Sequence, residues 1–223
     1  VMFRSGFFPA NRLGASAISA IDIALWDIKA KALGVPLYQL LGGRVRDRVV
    51  CYPHVKATET IDLPDAARQA AEEGWKFIRL ELPVAPGKGV LEPSAAVRGC
   101  VEDFAAVREA VGDDIEITVD VHVSEAFVED PLRMENFDSF RKLSRHVHVP
   151  LAAGEQYATK WEFRQQIEEE LIDYARIDVC IVGGITEALK VAGWCETHYI
   201  KLAPHNPLGP VSTAACLHLD LAT

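Results

Sequence analysis

The stretch YARIDVCIVGGITEALKVAGWCETHYIKLAPH, residues 174–205, contains the unit that decides the fold. An apolar run opens it, a helical pattern follows at residues 185–197, and a second apolar run closes it. Strand, helix and strand in this order, with continuous apolar strands, are typical of a parallel sheet covered by helices. Asp178 stands at the end of the first run and His205 at the end of the second.

The same alternation extends upstream through most of the chain. The apolar runs predicted to be strands are VVCYPHV (49–55), FIRLEL (77–82), IEITVDVHV (115–123), AFVEDP (126–131) and VPLAAGE (149–155). Helical patterns lie between most of them, at residues 63–73, 94–111, 136–147 and 159–171. An amphipathic helix over residues 15–33 precedes them all, with Gly34 and Pro36 as its stop signal. A doubly wound sheet and a barrel both fit this alternation.

Polar residues at the strand ends distinguish the two folds. Asp120, Glu129, Glu155, Asp178 and His205 each follow a successive predicted strand, and from Glu129 onward they are 26, 23 and 27 residues apart. A doubly wound sheet gathers its site at one switch point, whereas a barrel brings the C-terminal ends of all strands to one axis. No G-x-G-x-x-G follows the first strand. The sequence therefore predicts an α/β fold of the (β/α)₈ TIM-barrel type.

One separation breaks this rhythm. Asp120 and Glu129 are only nine residues apart, about 17 fewer than a strand and a helix would need. We expect a helix to be missing between residues 123 and 127.

Three of these acids have the chemistry of a metal site. Asp120, Glu129 and Glu155 would converge from consecutive strands, and oxygen ligands without Cys or His favour Mg²⁺ over Zn²⁺. Asp178 and His205 form a different kind of pair, because a carboxylate that accepts an imidazole N–H orients the ring and raises its basicity. The spacing thus predicts a Mg²⁺ site beside an Asp–His dyad.

Composition excludes several classes of protein. The formal net charge is -9, with 23 Lys and Arg against 32 Asp and Glu, which argues against nucleic acid or an anionic membrane as a partner. No apolar run is long enough to span a bilayer, and the first residues do not resemble a signal peptide. The five scattered cysteines indicate packed, reduced thiols. We expect a soluble, cytoplasmic protein.

Five segments carry a resemblance to a known family: ALGVPLYQLLGGRVRDRV (32–49), FVEDP (127–131), PLAAGEQY (150–157), VGGITEALK (182–190) and APHNPLGPVSTAACLHLDLAT (203–223). The chain resembles the mandelate racemase branch of the enolase superfamily, and most of all its acid-sugar dehydratases of the galactonate type. The resemblance extends over nearly the whole chain. Enolase-superfamily use of a Lys or His base with Mg²⁺ is one of the known patterns of proton abstraction.

The resemblance implies a role for each residue of the predicted site. Asp120, Glu129 and Glu155 match the Mg²⁺ ligands of the family. His205, supported by Asp178, matches the general base that removes the proton next to the substrate carboxylate. His122 matches the general acid that galactonate dehydratases use toward the leaving 3-hydroxyl. The implied reaction is dehydration of a sugar acid such as galactonate to a 2-keto-3-deoxy acid.

The chain departs from the family at the second barrel strand. Relatives that racemise commonly carry K-x-K there, and this chain has Arg79-Leu80-Glu81, which disfavours a Lys base on that face. Arg79 is a candidate ligand for the substrate carboxylate, with Glu81 as its partner. A salt-bridged strand end is the alternative.

The resemblance also implies a domain layout. Residues 1–45 would be the helical C-terminal part of an N-terminal α+β capping domain, and residues 46–223 a partial barrel with strands 1–7 and the gap near residues 123–127. Strand 8 would be absent from this chain. Relatives are usually homo-oligomers, and we expect the same here.

Two alternatives to a dehydratase stay open from the sequence. A racemase, epimerase or other lyase of the same superfamily would use the same metal. A non-catalytic paralogue or an inactive fragment would keep the fold without turnover.

Overall fold

The computed structural model describes residues 11–81, 93–120 and 128–223 as helices α1 to α8 and strands β1 to β7. In chain order they are α1 (Arg12–Leu33), α2 (Leu37–Leu40), β1 (His54–Val55), α3 (Leu63–Glu72), β2 (Phe77–Glu81), α4 (Pro93–Val111), β3 (Glu116–Asp120), β4 (Val128–Glu129), α5 (Phe137–Ser144), β5 (Leu151–Ala153), α6 (Lys160–Glu168), β6 (Tyr174–Ala175), α7 (Ile185–Thr197), β7 (Lys201–Leu202) and α8 (Pro210–Ala222). Each strand predicted from the sequence contains an observed one.

Local capping explains where several helices begin. Asn11 accepts a hydrogen bond from the Gly14 amide at the start of α1, and Asp62 does the same for the Asp65 amide at the start of α3. Thr159 and Glu162 form a capping box at α6. A side-chain oxygen in this position satisfies an amide that has no partner within the helix. Helices α1 and α3 to α7 begin within three residues of the positions predicted from the sequence, whereas α2 and α8 were not predicted.

The chain divides into two compact units. One unit comprises Val50–Pro131 and contains a parallel sheet in the order β1-β2-β3. Its register pairs His54 with Arg79 and Glu81 with Asp120. The core of this unit lies between the sheet and helices α3 and α4 and includes Val55, Leu63, Ala67, Ala70, Ile78, Leu80, Val107, Ile115 and Ile117.

The other unit comprises the described residues up to Val49 together with Leu132–Thr223. Strands β5, β6 and β7 are parallel neighbours in that order. Helix α1 contacts α7, and helix α2 contacts α8. The predicted α/β architecture with parallel strands is confirmed. No helix in the described parts of the chain is long and apolar enough to cross a membrane.

Candidate functional site

Asp178 and His205 lie side by side beyond the ends of β6 and β7. The Nδ1 atom of His205 is 3.0 Å from Oδ2 of Asp178, which is fully buried. Backbone pairing continues past both strands, since the Ala203 amide donates to Ala175 and the His205 amide donates to Ile177. This ladder places the histidine opposite the aspartate, as their 27-residue separation had predicted.

The backbone around Asp178 fixes its carboxylate. Oδ1 accepts from the Cys180 amide at 2.8 Å, and the main-chain oxygen of Asp178 accepts from the amides of Ile181 and Val182. Oδ2 therefore remains for the Nδ1–H of His205. A carboxylate on Nδ1–H sets the ring orientation and its tautomer, so Nε2 is the nitrogen left for chemistry.

Glu155 faces that second nitrogen. Its Oε2 lies 3.2 Å from Nε2 of His205, so a carboxylate approaches each ring nitrogen. Glu155 directly follows Gly154, which has φ +136°. A Cβ at Gly154 would come within 2.5 Å of the Phe163 ring and 3.1 Å of the Arg176 carbonyl oxygen. Only glycine fits there, and the tight backbone delivers Glu155 to the strand end.

Arg176 is a residue of this region that the sequence interpretation missed. It is buried, and its Nη1 donates to the carbonyl oxygen of Ala203 at 2.7 Å and lies 3.5 Å from that of Pro204. These carbonyls belong to the two residues before His205, so the guanidinium holds the chain that carries the histidine. One feature of the sequence indicated such a role: Arg176 is a charged residue inside the apolar run YARIDV, and a buried charge requires partners.

Glu129 is held in the other unit by Arg79. Nη2 of Arg79 is 3.3 Å from Oε2 of Glu129, and the two side chains are only 9% and 4% exposed. Nη1 of Arg79 lies 3.2 Å from Nε2 of His54, on the paired strand β1. A guanidinium only donates, so this histidine nitrogen accepts. The described ion pair of Arg79 is thus with Glu129, while the side chain of its predicted partner Glu81 lies outside the described part.

The remaining predicted residues are placed only in part. Asp120 ends β3 in register with Glu81, and its side chain is outside the described structure. His122 and the junction at residues 123–127 also lie outside the described residues. Among the side chains that the structure describes, no group of three His, Cys, Asp or Glu residues is arranged to hold a metal ion. Glu129 and Glu155 themselves present carboxylate oxygens, the donor type that Mg²⁺ prefers.

The Cys180 thiol, two residues after Asp178, is uncharged at neutral pH. Burial raises the pKa of the Cys180 thiol above its usual range, and the nearby Asp178 carboxylate acts in the same direction. The thiol stays protonated at neutral pH and contributes no charge beside Asp178. Cys195 and Cys216 are buried, as expected for packed thiols, and burial raises the pKa of each to about 12. The expectation was wrong for Cys51, which is exposed.

Family comparison agrees with this architecture. Residues 122–223 match the family described as enolase C-terminal domain-like, and residues 4–42 match the N-terminal domain of the mandelate racemase / muconate lactonizing enzyme family. The chain belongs to the enolase superfamily, in its mandelate racemase and muconate lactonizing enzyme branch.

Several of its relatives in that branch are described as dehydratases. The chain is 39% identical over 237 residues to a D-galactonate dehydratase of Verminephrobacter eiseniae, covering 99% of this chain and 62% of the relative. A solved enolase from Agrobacterium radiobacter, described as a candidate galactarate dehydratase with bound sodium and L-malate, is 36% identical with a TM-score of 0.86. That match covers 97% of this chain and 60% of the solved one.

A second solved structure gives the same result. A candidate dehydratase from Salmonella typhimurium is 31% identical with a TM-score of 0.86, over 99% of this chain and 66% of its own length. The chain therefore spans between three fifths and two thirds of the length of these relatives. The resemblance expected from the sequence is confirmed at the level of family and fold.

Proposed function

We propose that the protein is a Mg²⁺-dependent dehydratase of a sugar acid, an aldonate such as galactonate. The reaction would remove the proton from C2, eliminate the 3-hydroxyl and yield a 2-keto-3-deoxy acid. The observation that carries this proposal is His205, held by Asp178 through one ring nitrogen and facing Glu155 through the other. The dehydratases among its relatives support the same assignment.

Asp120, Glu129 and Glu155 are the proposed Mg²⁺ ligands. They are carboxylates at the ends of three strands, β3, β4 and β5, and their oxygen donors suit a hard cation. Bound Mg²⁺ would stabilise the negative charge that develops on the substrate carboxylate as the C2 proton leaves. Arg79 is proposed to keep the Glu129 carboxylate in place, because both charges are buried and paired. Its predicted contact with the substrate, together with that of Glu81, remains a prediction.

His205 is the proposed general base. Its Nε2 takes the C2 proton, and the resulting imidazolium is stabilised by the Asp178 carboxylate at 3.0 Å from Nδ1. The electron pair of the C–H bond becomes the C1–C2 π bond of an enediolate. Arg176 supports this step by holding the carbonyls of Ala203 and Pro204 just before the base.

His122 is the proposed general acid. It would donate a proton to the departing 3-hydroxyl, which leaves as water while the enediolate collapses to an enol. Tautomerisation of the enol then gives the 2-keto group. This role rests on the Asp-x-His spacing after β3 and on the family resemblance.

We also propose how the described strands and helices belong to a larger architecture. We infer that the parallel strands belong to a (β/α)₈ barrel, that residues 1–45 complete a capping domain, and that a helix is missing near residues 123–127. The 237 aligned positions exceed the 223 residues of this chain, which supports an internal loss of residues. A homo-oligomeric state and a cytoplasmic location are proposed by analogy with metabolic relatives.

Turnover of a panel of aldonates and aldarates with Mg²⁺ tests the function, scored by formation of 2-keto-3-deoxy product. We expect product with at least one acid, and its loss with EDTA, with His205→Asn and with His122→Asn. His146→Asn is the matched control, because this exposed histidine contacts only the Lys142 carbonyl in the described structure. Exchange of the C2 hydrogen with deuterium oxide without loss of water would instead indicate a racemase or epimerase. A folded protein that binds Mg²⁺ but shows neither reaction would contradict the proposal.

A further inference from the structure

Helix α1 holds the segment that follows Asp178. Three of its side chains, at steps of three and four residues, reach the end of the turn between β6 and α7 and the first turn of α7. Ser19 Oγ accepts from the Gly183 amide, Asp22 Oδ2 accepts from the Thr186 amide, and Trp26 Nε1 donates to Thr186 Oγ1, each at 2.9 Å. Ser19 and Asp22 are buried, with 0% and 7% exposure. The contact therefore uses buried polar groups with defined partners.

The fit around Asp22 is tight. Gly184 has φ +84°, and a Cβ built there would lie 2.4 Å from Oδ2 and 2.5 Å from Cβ of Asp22. Gly184 is also the residue before α7 and has no side chain with which to cap that helix. Asp22 supplies the missing cap from a different helix, since its carboxylate accepts an amide of the first turn of α7.

The capped turn is continuous with the dyad. The Gly184 amide donates to the Val179 carbonyl at 3.2 Å, and the Val182 amide donates to the Asp178 carbonyl at 2.9 Å. The Cys180 amide then donates to Oδ1 of Asp178, whose Oδ2 faces His205. These hydrogen bonds, together with the short stretches of chain between them, join the residues that Asp22 contacts to the carboxylate that orients the histidine.

We propose that Asp22 is a positioning residue for the Asp178–His205 pair and acts through the turn at residues 179–186. It lies on α1, outside the strand ends that carry the proposed chemistry. The proposal goes beyond the proposed function by assigning α1 a part in that same site, and its kinetic consequence rests on the dehydratase reaction. Loss of the Asp22 cap would let the turn shift and loosen the hydrogen bond between Asp178 and His205.

A test that needs no substrate separates this proposal from the proposed function. The Nδ1–H proton of His205, hydrogen-bonded to a buried carboxylate, should give a low-field proton NMR signal that is absent in His205→Asn. We expect Asp22→Ala to broaden or shift this signal. Asp22→Asn should leave the signal as in the wild type, because an amide oxygen can also accept from the Thr186 amide. Asp27→Ala is the matched control on the same helix, where the described contact of Asp27 is an exposed ion pair with Lys31.

Kinetics provide the second readout if the dehydratase reaction is found. Asp22→Ala should lower kcat about 10-fold or more with KM changed less than about twofold, since small misplacements of catalytic groups are costly. Asp22→Asn should stay within about threefold of the wild type. If Asp22→Ala does not fold, Ser19→Ala removes one acceptor of the same turn and should change the signal in the same direction.

One experimental result would overturn the positioning role of Asp22. A folded Asp22→Ala or Ser19→Ala protein with a lower Tm but an unchanged Nδ1–H signal would show a purely structural role for this contact and refute the proposal. An altered signal in a protein without dehydratase activity would instead support the positioning role while contradicting the proposed function.

Discussion

Arg79 and Glu129 form a buried ion pair, with Nη2 3.3 Å from Oε2 and the two side chains almost completely enclosed. Removing one partner of such a pair leaves a charge without compensation in a poorly solvated place. Arg79→Met should therefore lower the free energy of unfolding by about 3–5 kcal/mol.

The coupling between the two residues can be measured directly. In a double-mutant cycle with EDTA present, we expect Arg79→Met to cost clearly less in a Glu129→Gln background than in the wild type. Arg79→Lys should also destabilise the protein, because an ammonium cannot reach Glu129 and His54 together as the guanidinium fork does. Additive single and double variants would contradict a coupled pair.

Asp178→Asn should reduce kcat by at least about 100-fold, which is within the range that acid–base groups contribute. An amide at this position can turn its NH₂ toward Nδ1 of His205, which favours the wrong tautomer for a base at Nε2. The rate of C2 hydrogen exchange in deuterium oxide measures this step separately from water loss. Exchange at the wild-type rate in Asp178→Asn would exclude the proposed role of the dyad.

Gly184→Ala should lower the free energy of unfolding by about 2–4 kcal/mol, through backbone strain at positive φ and the collision with Asp22. Gly193→Ala is the matched control, because Gly193 lies exposed inside α7 with no atom near its would-be Cβ. That change should stabilise the protein by about 0.5–1 kcal/mol, as is usual for alanine in a helix. Equal effects of the two substitutions in urea unfolding would refute the close packing of Gly184.

Asp220 makes stability depend on pH. Burial raises the pKa of its carboxyl from 3.8 to about 6, against an opposing effect of Arg46. Because the pKa is raised in the folded state, folding favours the protonated carboxyl of Asp220. The contribution of this group to stability is present below pH 3.8 and is lost as the pH rises through about 6. Asp220→Asn, compared with the wild type, should therefore gain about 3 kcal/mol on going from acidic to neutral pH.

Unfolding curves at several pH values provide that comparison. Asp113→Asn, at an exposed position, is the control for the loss of one carboxylate elsewhere in the protein. A difference between Asp220→Asn and the wild type that is the same at every pH would contradict a partly buried, titrating Asp220.

The sequence predicted those parts of the fold that depend on local patterns. Helix α7 has the predicted bounds, because its apolar residues recur at helical spacing after two glycines. Strands β6 and β7 are shorter than their apolar runs, since regular pairing covers two residues in each and the chain continues through isolated backbone hydrogen bonds. An apolar run indicates which segment is buried, whereas the number of residues in regular strand pairing depends on the neighbouring segment.

Part of the candidate site was also accessible from the sequence. The contact between Asp178 and His205 followed from their separation by one strand–helix unit. The ion pair between Arg79 and Glu129 did not, because no spacing rule in the sequence relates a residue of β2 to one of β4. The predicted pairing of Arg79 with Glu81 stays a prediction, since the Glu81 side chain lies outside the described structure. The role of Asp22 could not be predicted either, since the amide that donates to its carboxylate, that of Thr186, lies 164 residues away along the chain.

That separation has a consequence for how the protein folds. The hydrogen bonds from α1 to the turn after Asp178 close a loop of about 160 residues, so they form only after the N-terminal helix and the β6–α7 region are both present. Helix α1 and the β6–α7 region should accordingly open as one cooperative block. In native-state hydrogen exchange, the Gly183 and Thr186 amides should share the opening free energy of the centre of α1 and lose their protection together with it.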